Sequence, residues 1–128
     1  MTVLIIGGAH QGKRALAERL FSLHESDFAD GETCSLADIQ AARAVDSLHR
    51  YTRRQDGWDA QALLDALQGK IVLCDEIGCG VVPFEKAQDD WREQTGRLLC
   101  DLAARADLVV RVYAGIGQAI KGQLPKEP

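Results

Sequence analysis

Residues 3–14 read Val-Leu-Ile-Ile-Gly-Gly-Ala-His-Gln-Gly-Lys-Arg, and this stretch decides the fold. A β-branched apolar run meets a glycine pair, four residues separate Gly7 from Gly12, and Lys13 follows. This spacing is that of a phosphate-binding loop, in which main-chain N–H groups and a helix N-terminus surround an anion and the lysine adds a positive charge. We therefore predict a nucleotide phosphate site at Gly7, Gly8, Ala9, His10, Gln11, Gly12, Lys13 and Arg14.

Arg14 departs from the motif, which ordinarily ends in Ser or Thr. The missing hydroxyl normally helps to hold Mg²⁺, whereas a guanidinium can bind phosphate directly. The flanking residues support the motif, because an apolar strand from Thr2 to Ile6 precedes the loop and a helix from about Gly12 to Leu23 follows it. The alternative is an ordinary glycine-rich turn between a strand and a helix.

The composition is that of a single globular domain, since 46% of the 128 residues are hydrophobic and 27% are charged. The net charge of −4 argues against a nucleic-acid partner, and no apolar run is long enough to cross a membrane. We predict one domain over residues 1–121 and a flexible tail over residues 122–128. The four cysteines match no zinc or redox spacing and the N-terminus does not resemble a secretion signal, so a cytoplasmic location is expected.

The rest of the chain alternates helix and strand patterns. Ser35 with Asp38 predicts an N-cap, and an apolar stripe that includes Ala44 and Val45 extends the predicted helix to about Arg53. A short helix, a second strand, a long helix and a third strand are predicted at Ala60–Leu67, Lys70–Cys74, Lys86–Arg105 and Leu108–Tyr113. These elements predict an α/β fold of the P-loop NTPase type, in which helices cover both faces of a mainly parallel sheet in three layers.

Three loops are expected at the carboxyl edge of this sheet, where α/β proteins bind ligands. They are the phosphate-binding loop, the Asp75-Glu76 pair after the second predicted strand, and the turn Gly115-Ile116-Gly117 after the third. An acidic pair beside a phosphate-binding loop favours a metal role, so Asp75, or alternatively Glu76, is expected to hold Mg²⁺ directly or through water. The alternative is that the acidic pair simply ends a strand.

Several further motifs follow one another in order. They are Asp75-Glu76-Ile77-Gly78-Cys79-Gly80-Val81-Val82-Pro83, Trp91-Arg92-Glu93, Gly96-Arg97, Ala106-Asp107 and Ala114-Gly115-Ile116-Gly117 with Ile120-Lys121. Together with the Gly-Gly-Ala opening of the loop, they resemble the adenosylcobinamide kinase/adenosylcobinamide-phosphate guanylyltransferase family of cobalamin assembly. The resemblance covers residues 1–20 and 70–121 well and is weak from 24 to 69, as in a short, divergent member.

The resemblance implies two reactions at one site for GTP or ATP. A nucleoside triphosphate phosphorylates the aminopropanol hydroxyl of adenosylcobinamide, and GTP guanylylates an enzyme histidine that passes GMP to the phosphorylated corrinoid. His49 is similar to that histidine, Glu76 matches the family's acidic residue after the second strand, and Lys13 would stabilise the developing negative charge. These three are the expected catalytic residues, and Glu76 is also expected to contact the nucleotide. The residues expected to lie along the nucleotide are Arg50, Tyr51, Thr52 and Arg53. The resemblance also implies a homo-oligomer, a trimer.

Departures from the family pattern leave other interpretations open. Arg14 replaces the metal-binding hydroxyl residue, Ala62 stands where the family places an acidic residue, and the chain is shortened between residues 24 and 69. A catalytically degenerate, regulatory nucleotide-binding protein is one alternative, and a kinase acting on another small molecule is a second. For His49 the alternative is a solvated histidine at the rim of a helix, and for Arg50–Arg54 it is a solvated basic face.

Overall fold

Strands and helices alternate along the computed structural model, which describes residues 1–55, 57–77 and 86–127, without the side chains of residues 86–88. The strands are β1 (Val3–Gly7), β2 (Phe28–Asp30), β3 (Ala44–Asp46), β4 (Ile71–Asp75), β5 (Leu108–Tyr113) and β6 (Ile116–Lys121). The helices are α1 (Lys13–Phe21), α2 (Leu36–Ala41), α3 (Leu48–Arg54), α4 (Ala60–Ala66) and α5 (Lys86–Arg105). The stretch from Gly78 to Pro83 of the first resemblance motif lies outside the described residues.

All of these strands belong to one sheet, in the order β2-β3-β4-β1-β5-β6. β1 pairs in parallel with β4 and β5, and β3 and β2 continue the parallel part beyond β4. β6 runs antiparallel to β5 as the second strand of a hairpin. The register places Gly7 beside Asp75 on one side and Val112 on the other. The end of β1, where the phosphate-binding loop begins, therefore lies at the middle of the carboxyl edge.

Helices cover both faces of this sheet. On one face, α1 buries Leu16 and Leu20 against side chains of β1, β4 and β5. On the other face, α4 and α5 bury Leu63 and Leu102 against the alternate side chains of the same strands. This arrangement confirms the predicted α/β fold, in which helices cover both faces of a mainly parallel sheet in three layers.

The predicted helix from Ser35 to about Arg53 is wrong. The Ser35 hydroxyl does cap a helix by accepting the Asp38 N–H at 3.1 Å, but α2 ends at Ala41 and is followed by β3 and α3. Ala44 and Val45, assigned to the helical stripe, are consecutive fully buried residues of β3. Because a parallel strand is covered on both faces, consecutive residues of the strand are apolar and do not alternate with polar ones. A pair of apolar residues is too short to distinguish this pattern from helical spacing.

The other predicted elements lie within two residues of their predicted bounds. The third turn is shorter than expected, because Ala114 and Gly115 form it with φ angles of 51° and 78° and Ile116 already begins β6. Two consecutive positive φ angles are typical of the type I′ turn of a two-residue hairpin.

Residues 122–127 have no regular secondary structure, and Glu127 pairs with Arg19 at 3.5 Å. The division into a domain over residues 1–121 and a flexible tail stays a prediction. In the described part of the chain, no helix combines the length and apolarity needed to cross a membrane.

Candidate functional site

Three segments at the carboxyl edge enclose a cavity of about 240 Å³. They are the loop after β1 with the first turn of α1, the junction between β3 and α3, and the end of β4. The charged and titratable side chains in its lining include Lys13, Arg14, Asp46, His49, Arg50 and Asp75. The cavity therefore joins the predicted phosphate-binding loop to the predicted histidine nucleophile.

The loop has the backbone expected of an anion site. His10 and Gly12 have φ angles of 60° and 90°, so both adopt the left-handed conformation. α1 begins at Lys13, and the main-chain N–H groups of the first turn of a helix have no partner within that helix. Unpaired N–H groups at the start of a helix attract anions, and the phosphate-binding interpretation is therefore favoured over an ordinary turn.

The loops on either side hold this backbone in place. The Gln11 main-chain oxygen accepts a hydrogen bond from the Gly115 N–H, and Gln11 Oε1 accepts one from the Ala114 N–H, both at 2.7 Å. On the other side, the Glu76 N–H donates to the Gly7 oxygen at 2.9 Å. The three loops thus meet at the carboxyl edge as expected, and Gln11 connects the phosphate-binding loop to the β5–β6 turn.

Lys13, the first residue of α1, is held both by its own loop and by the end of β4. Its Nζ donates to the oxygens of Gly7 at 3.2 Å and Gly8 at 2.8 Å, and to Asp75 Oδ1 at 2.7 Å. These contacts use all three donors of the ammonium group. Binding of a phosphate by Lys13 therefore requires the exchange of at least one of them.

His49 reaches the same carboxylate from α3. Its Nδ1 accepts a hydrogen bond from the Asp75 main-chain N–H at 3.1 Å, and its Nε2 lies 3.3 Å from Asp75 Oδ2. These two contacts fit the neutral tautomer that is protonated at Nε2. The His49 side chain is only 13% exposed, so the interpretation as a solvated helix-rim histidine is wrong.

Burial lowers the pKa of His49 below its ordinary value of 6.5. The Asp75 carboxylate opposes this shift because it favours the protonated ring, whereas the positive charges of Arg50 and Lys13 lower the pKa further. The ring is therefore neutral at pH 7 and is protonated only as the pH falls below 6.5. A neutral imidazole carries the lone pair that nucleophilic attack requires.

Arg14 extends toward the end of β3 and meets a residue that the sequence analysis did not identify. Its Nη1 lies 3.0 Å from Asp46 Oδ2, and its guanidinium carbon lies 4.2 Å from the centre of the Phe28 ring. Asp46 ends β3 as Asp75 ends the neighbouring strand β4. Recognition of β3 would have identified Asp46, because a carboxylate that follows a parallel strand lies at the ligand-binding edge.

Of the four residues predicted to lie along the nucleotide, Arg50 lines the cavity. Tyr51 and Thr52 are buried in the core instead, where Thr52 Oγ1 accepts a hydrogen bond from Trp91 Nε1 at 2.9 Å. The Arg53 guanidinium lies over the Trp91 ring at 5.1 Å. Consecutive residues of an α-helix point about 100° apart, so four successive side chains do not face one ligand.

Glu76 does not line the cavity. Its Oε1 pairs instead with Arg111 Nε of β5 at 3.0 Å. The structure therefore brings Lys13, His49 and Asp75 together and leaves the carboxylate of Glu76 elsewhere.

Comparison of the sequence with known families agrees with the resemblance. The profile of the family described as cobinamide kinase / cobinamide phosphate guanyltransferase matches residues 58–120. The bifunctional adenosylcobalamin biosynthesis protein CobU of Escherichia coli (strain K12) is 32% identical over 81 residues, a match that covers 52% of this chain and 45% of the relative. The chain is therefore similar to this family over residues 58–120. It spans less than half the length of that curated relative.

Among solved structures, the chain is similar to the P4 protein of bacteriophage phi6 in complex with ADP. The TM-score is 0.45 and the sequence identity 14%, over 91% of this chain and 52% of the P4 chain. So distant a likeness does not bear on the site, whose interpretation depends on the residues of the chain itself.

The side chains around the cavity do not fit Mg²⁺ in the way the motif ordinarily binds it. Arg14 replaces the metal-holding hydroxyl, and the predicted ligand Asp75 divides its two oxygens between Lys13 and His49. Asp46, the other carboxylate of the lining, pairs with Arg14. Across residues 1–55, 57–77 and 86–127, no three His, Cys, Asp or Glu side chains are grouped as a metal site would need. We therefore assign no chemical step to a metal.

Proposed function

We propose that this chain binds GTP or ATP at the phosphate-binding loop and transfers GMP from GTP to a phosphorylated corrinoid through His49, as an enzyme of cobalamin biosynthesis. Phosphorylation of the corrinoid hydroxyl at the same loop is the companion reaction that we propose. The observation that carries the proposal is the Asp75 carboxylate, which joins the loop residue Lys13 to His49 within one cavity. One nucleotide in this cavity would have its phosphates and the nucleophile within reach of each other.

In the guanylylation step, the unprotonated nitrogen of His49 attacks the α-phosphorus, and the bond from that phosphorus to the α,β-bridging oxygen breaks. Pyrophosphate leaves with the bonding electrons, while Lys13 and the loop N–H groups stabilise the developing negative charge. The proton on Nε2 faces Asp75, which is positioned to accept it. A phosphate oxygen of the corrinoid then attacks the same phosphorus, and the phosphorus–histidine bond breaks.

His49 has to leave part of its present arrangement before it attacks. The lone pair of this tautomer is on Nδ1, which accepts the Asp75 N–H. The Lys13 ammonium is also occupied, because it donates to Asp75 and to two main-chain oxygens of its own loop. We interpret these contacts as a resting state, which nucleotide phosphates would open by competing for the Lys13 ammonium.

Incubation with GTP labelled at the α-phosphate tests the transfer. The wild-type protein is expected to retain label that survives alkali and is lost in acid, as a phosphorus–nitrogen bond requires. The His49→Ala protein is expected to retain none, because the proposed nucleophile is removed. His24→Ala is the matched control, since His24 is exposed and lies outside the cavity lining, and it is expected to retain label like the wild type.

A second function, nucleotide binding without catalysis, is favoured by one specific observation. Arg14 takes the place of the metal-holding hydroxyl, and both Lys13 and His49 are held by Asp75. Binding of GTP by calorimetry, with no label on the wild-type protein, would establish this regulatory alternative and exclude the transferase. Transfer of labelled γ-phosphate to cobinamide would support the companion reaction and exclude a kinase that acts only on another small molecule, which would bind ATP but leave cobinamide unlabelled.

A further inference from the structure

We propose that the guanidinium of Arg14 takes the place of a divalent cation, so that this site binds nucleotide phosphates without Mg²⁺. The inference rests on the proposed nucleotide binding and specifies the form of the ligand, a metal-free polyphosphate. It arises from the mismatch between the residues of the cavity and the metal that the loop motif implies.

Arg14 is placed as a fixed cation in the cavity wall, directly after Lys13 in α1. Nη1 contacts Asp46 at 3.0 Å, Nε lies 3.7 Å from Glu18, and the guanidinium carbon lies over the Phe28 ring, 4.2 Å from its centre. The side chain is 38% exposed and lines the cavity. A guanidinium has five N–H donors. The contacts of Arg14 leave some of them available to donate hydrogen bonds to a phosphate.

The charges of the lining also favour a metal-free anion. Lys13, Arg14 and Arg50 are positive, Asp46 and Asp75 are negative, and the lowered pKa of His49 leaves its ring neutral. All three cations can donate to a polyphosphate that no metal has partly neutralised, and two of them are also paired at the margin of the cavity, Arg14 with Glu18 and Arg50 with Glu32. An Mg²⁺ ion on the phosphates would instead lie close to the guanidinium, and two cations at short range repel each other.

Both carboxylates are already engaged by this chain's own cations. Asp75 is shared by Lys13 and His49, and Asp46 is paired with Arg14. A metal ion would have to displace at least one of these partners before it gained a protein ligand. A phosphate would instead exchange one acceptor for another at Lys13 and accept hydrogen bonds from the remaining N–H groups of Arg14.

Calorimetric titration with GTP, in buffer with EDTA and in buffer with Mg²⁺, tests the inference on the whole chain. We expect the wild-type dissociation constant to differ by less than about threefold between the two buffers, because Arg14 supplies the charge-assisted hydrogen bonds. Arg14→Ser restores the hydroxyl of the motif. We expect it to bind at least about tenfold more weakly in EDTA than in Mg²⁺.

Arg14→Lys is the charge-conserving control and is expected to stay metal-independent. The Asp46→Asn variant tests the same inference with Arg14 unchanged. Its affinity for GTP in EDTA is expected to increase, because the Arg14 guanidinium loses its carboxylate partner. A wild-type affinity that falls more than about tenfold in EDTA would overturn the inference while leaving nucleotide binding intact. No heat with GTP in either buffer would overturn the proposed function as well.

Discussion

The carboxylate of Asp75 contacts Lys13 through one oxygen and His49 through the other, and the main-chain N–H of the same residue donates to the imidazole. These contacts are available because β4 pairs in parallel with β1, which places Asp75 beside Gly7. One residue therefore fixes both the loop cation and the tautomer of the histidine. A substitution at Asp75 should affect both groups.

Replacement of Asp75 by Asn is expected to lower the pKa of His49 further, because the variant lacks the carboxylate that favours the protonated ring. As the pH falls, wild-type His49 should take up its proton below 6.5, and the variant should do so at a still lower pH. An NMR titration of the histidine ring nitrogens measures both midpoints. The His49→Gln protein identifies the signal by its loss, and a midpoint that stays or rises in the Asp75→Asn protein would contradict this account.

The sequence predicted the loop and Asp75 from their own patterns and His49 from the family resemblance, and the structure places all three around one cavity. The sequence did not identify Asp46, because the strand that carries it has only three residues. Tyr51 and Thr52 were assigned to the nucleotide as part of a continuous segment, and a segment does not show which side of a helix each residue occupies. Contacts between residues that are distant in sequence, such as Gln11 with Ala114, depend on the order of the strands in the sheet, which the local sequence does not reveal.

At the scale of elements, the start of α3 depends on a close approach between two loops. The Gly31 N–H donates to the Asp46 oxygen at 2.7 Å, and a Cβ on Gly31 would overlap the Ser47 carbonyl. Ser47 in turn has a φ of 59°, and α3 begins at the next residue. Because His49 lies in the first turn of α3, this contact also positions the proposed nucleophile.

Gly31→Ala is therefore expected to destabilise the fold by about 1–3 kcal/mol, the usual cost of an extra methyl group in a tightly packed place. Urea unfolding followed by circular dichroism measures the change. Gly96→Ala is the matched control, because no described atom lies within 4 Å of the added Cβ, and alanine in a helix interior should stabilise by about 0.5–1 kcal/mol. Equal stability of the Gly31→Ala and wild-type proteins would show that the close approach is not required.

The elements that were predicted well are the long ones and those bounded by clear signals. α5 has 20 residues with a sustained apolar face, and β5 is followed by a glycine turn. β2 and β3 have three residues each, too few for a period to be recognised. β3 takes its place in the sheet by pairing with β4, and β2 by pairing with β3, and neither contact is encoded locally.

At the scale of the whole molecule, the strand order brings every part of the candidate site to one edge. β1 is flanked by β4 and β5, so Asp75 and the β5–β6 turn lie on opposite sides of the phosphate-binding loop. A ligand in the cavity would contact segments that are far apart in sequence. Its binding should therefore stabilise the domain as a unit.

Saturating GTP is expected to raise the midpoint of thermal unfolding. At about 100 times the dissociation constant the gain is about 2.7 kcal/mol, which corresponds to a shift on the order of 10 °C for a domain of this size. Scanning calorimetry measures the shift. Guanosine, which lacks phosphates, is the control and should leave the midpoint unchanged, whereas equal shifts with both compounds would place the binding energy outside the loop.

The homo-oligomeric state, a trimer by resemblance, and the cytoplasmic location stay predictions. The first depends on contacts between copies of the chain and the second on the cell, and the order of the strands determines neither. Sedimentation of the purified chain measures the first directly.

The two hydrogen bonds that Gln11 accepts from the β5–β6 turn have a practical consequence for spectroscopy. The sequence contains two tyrosines, Tyr51 and Tyr113. Tyr113 immediately precedes the β5–β6 turn and has 74% of its surface exposed, whereas Tyr51 lies in the core and is 6% exposed. Biosynthetic incorporation of fluorotyrosine would give one fluorine resonance adjacent to the loop and one internal reference. Rearrangement of the loop could then be followed without labelling any residue of the cavity.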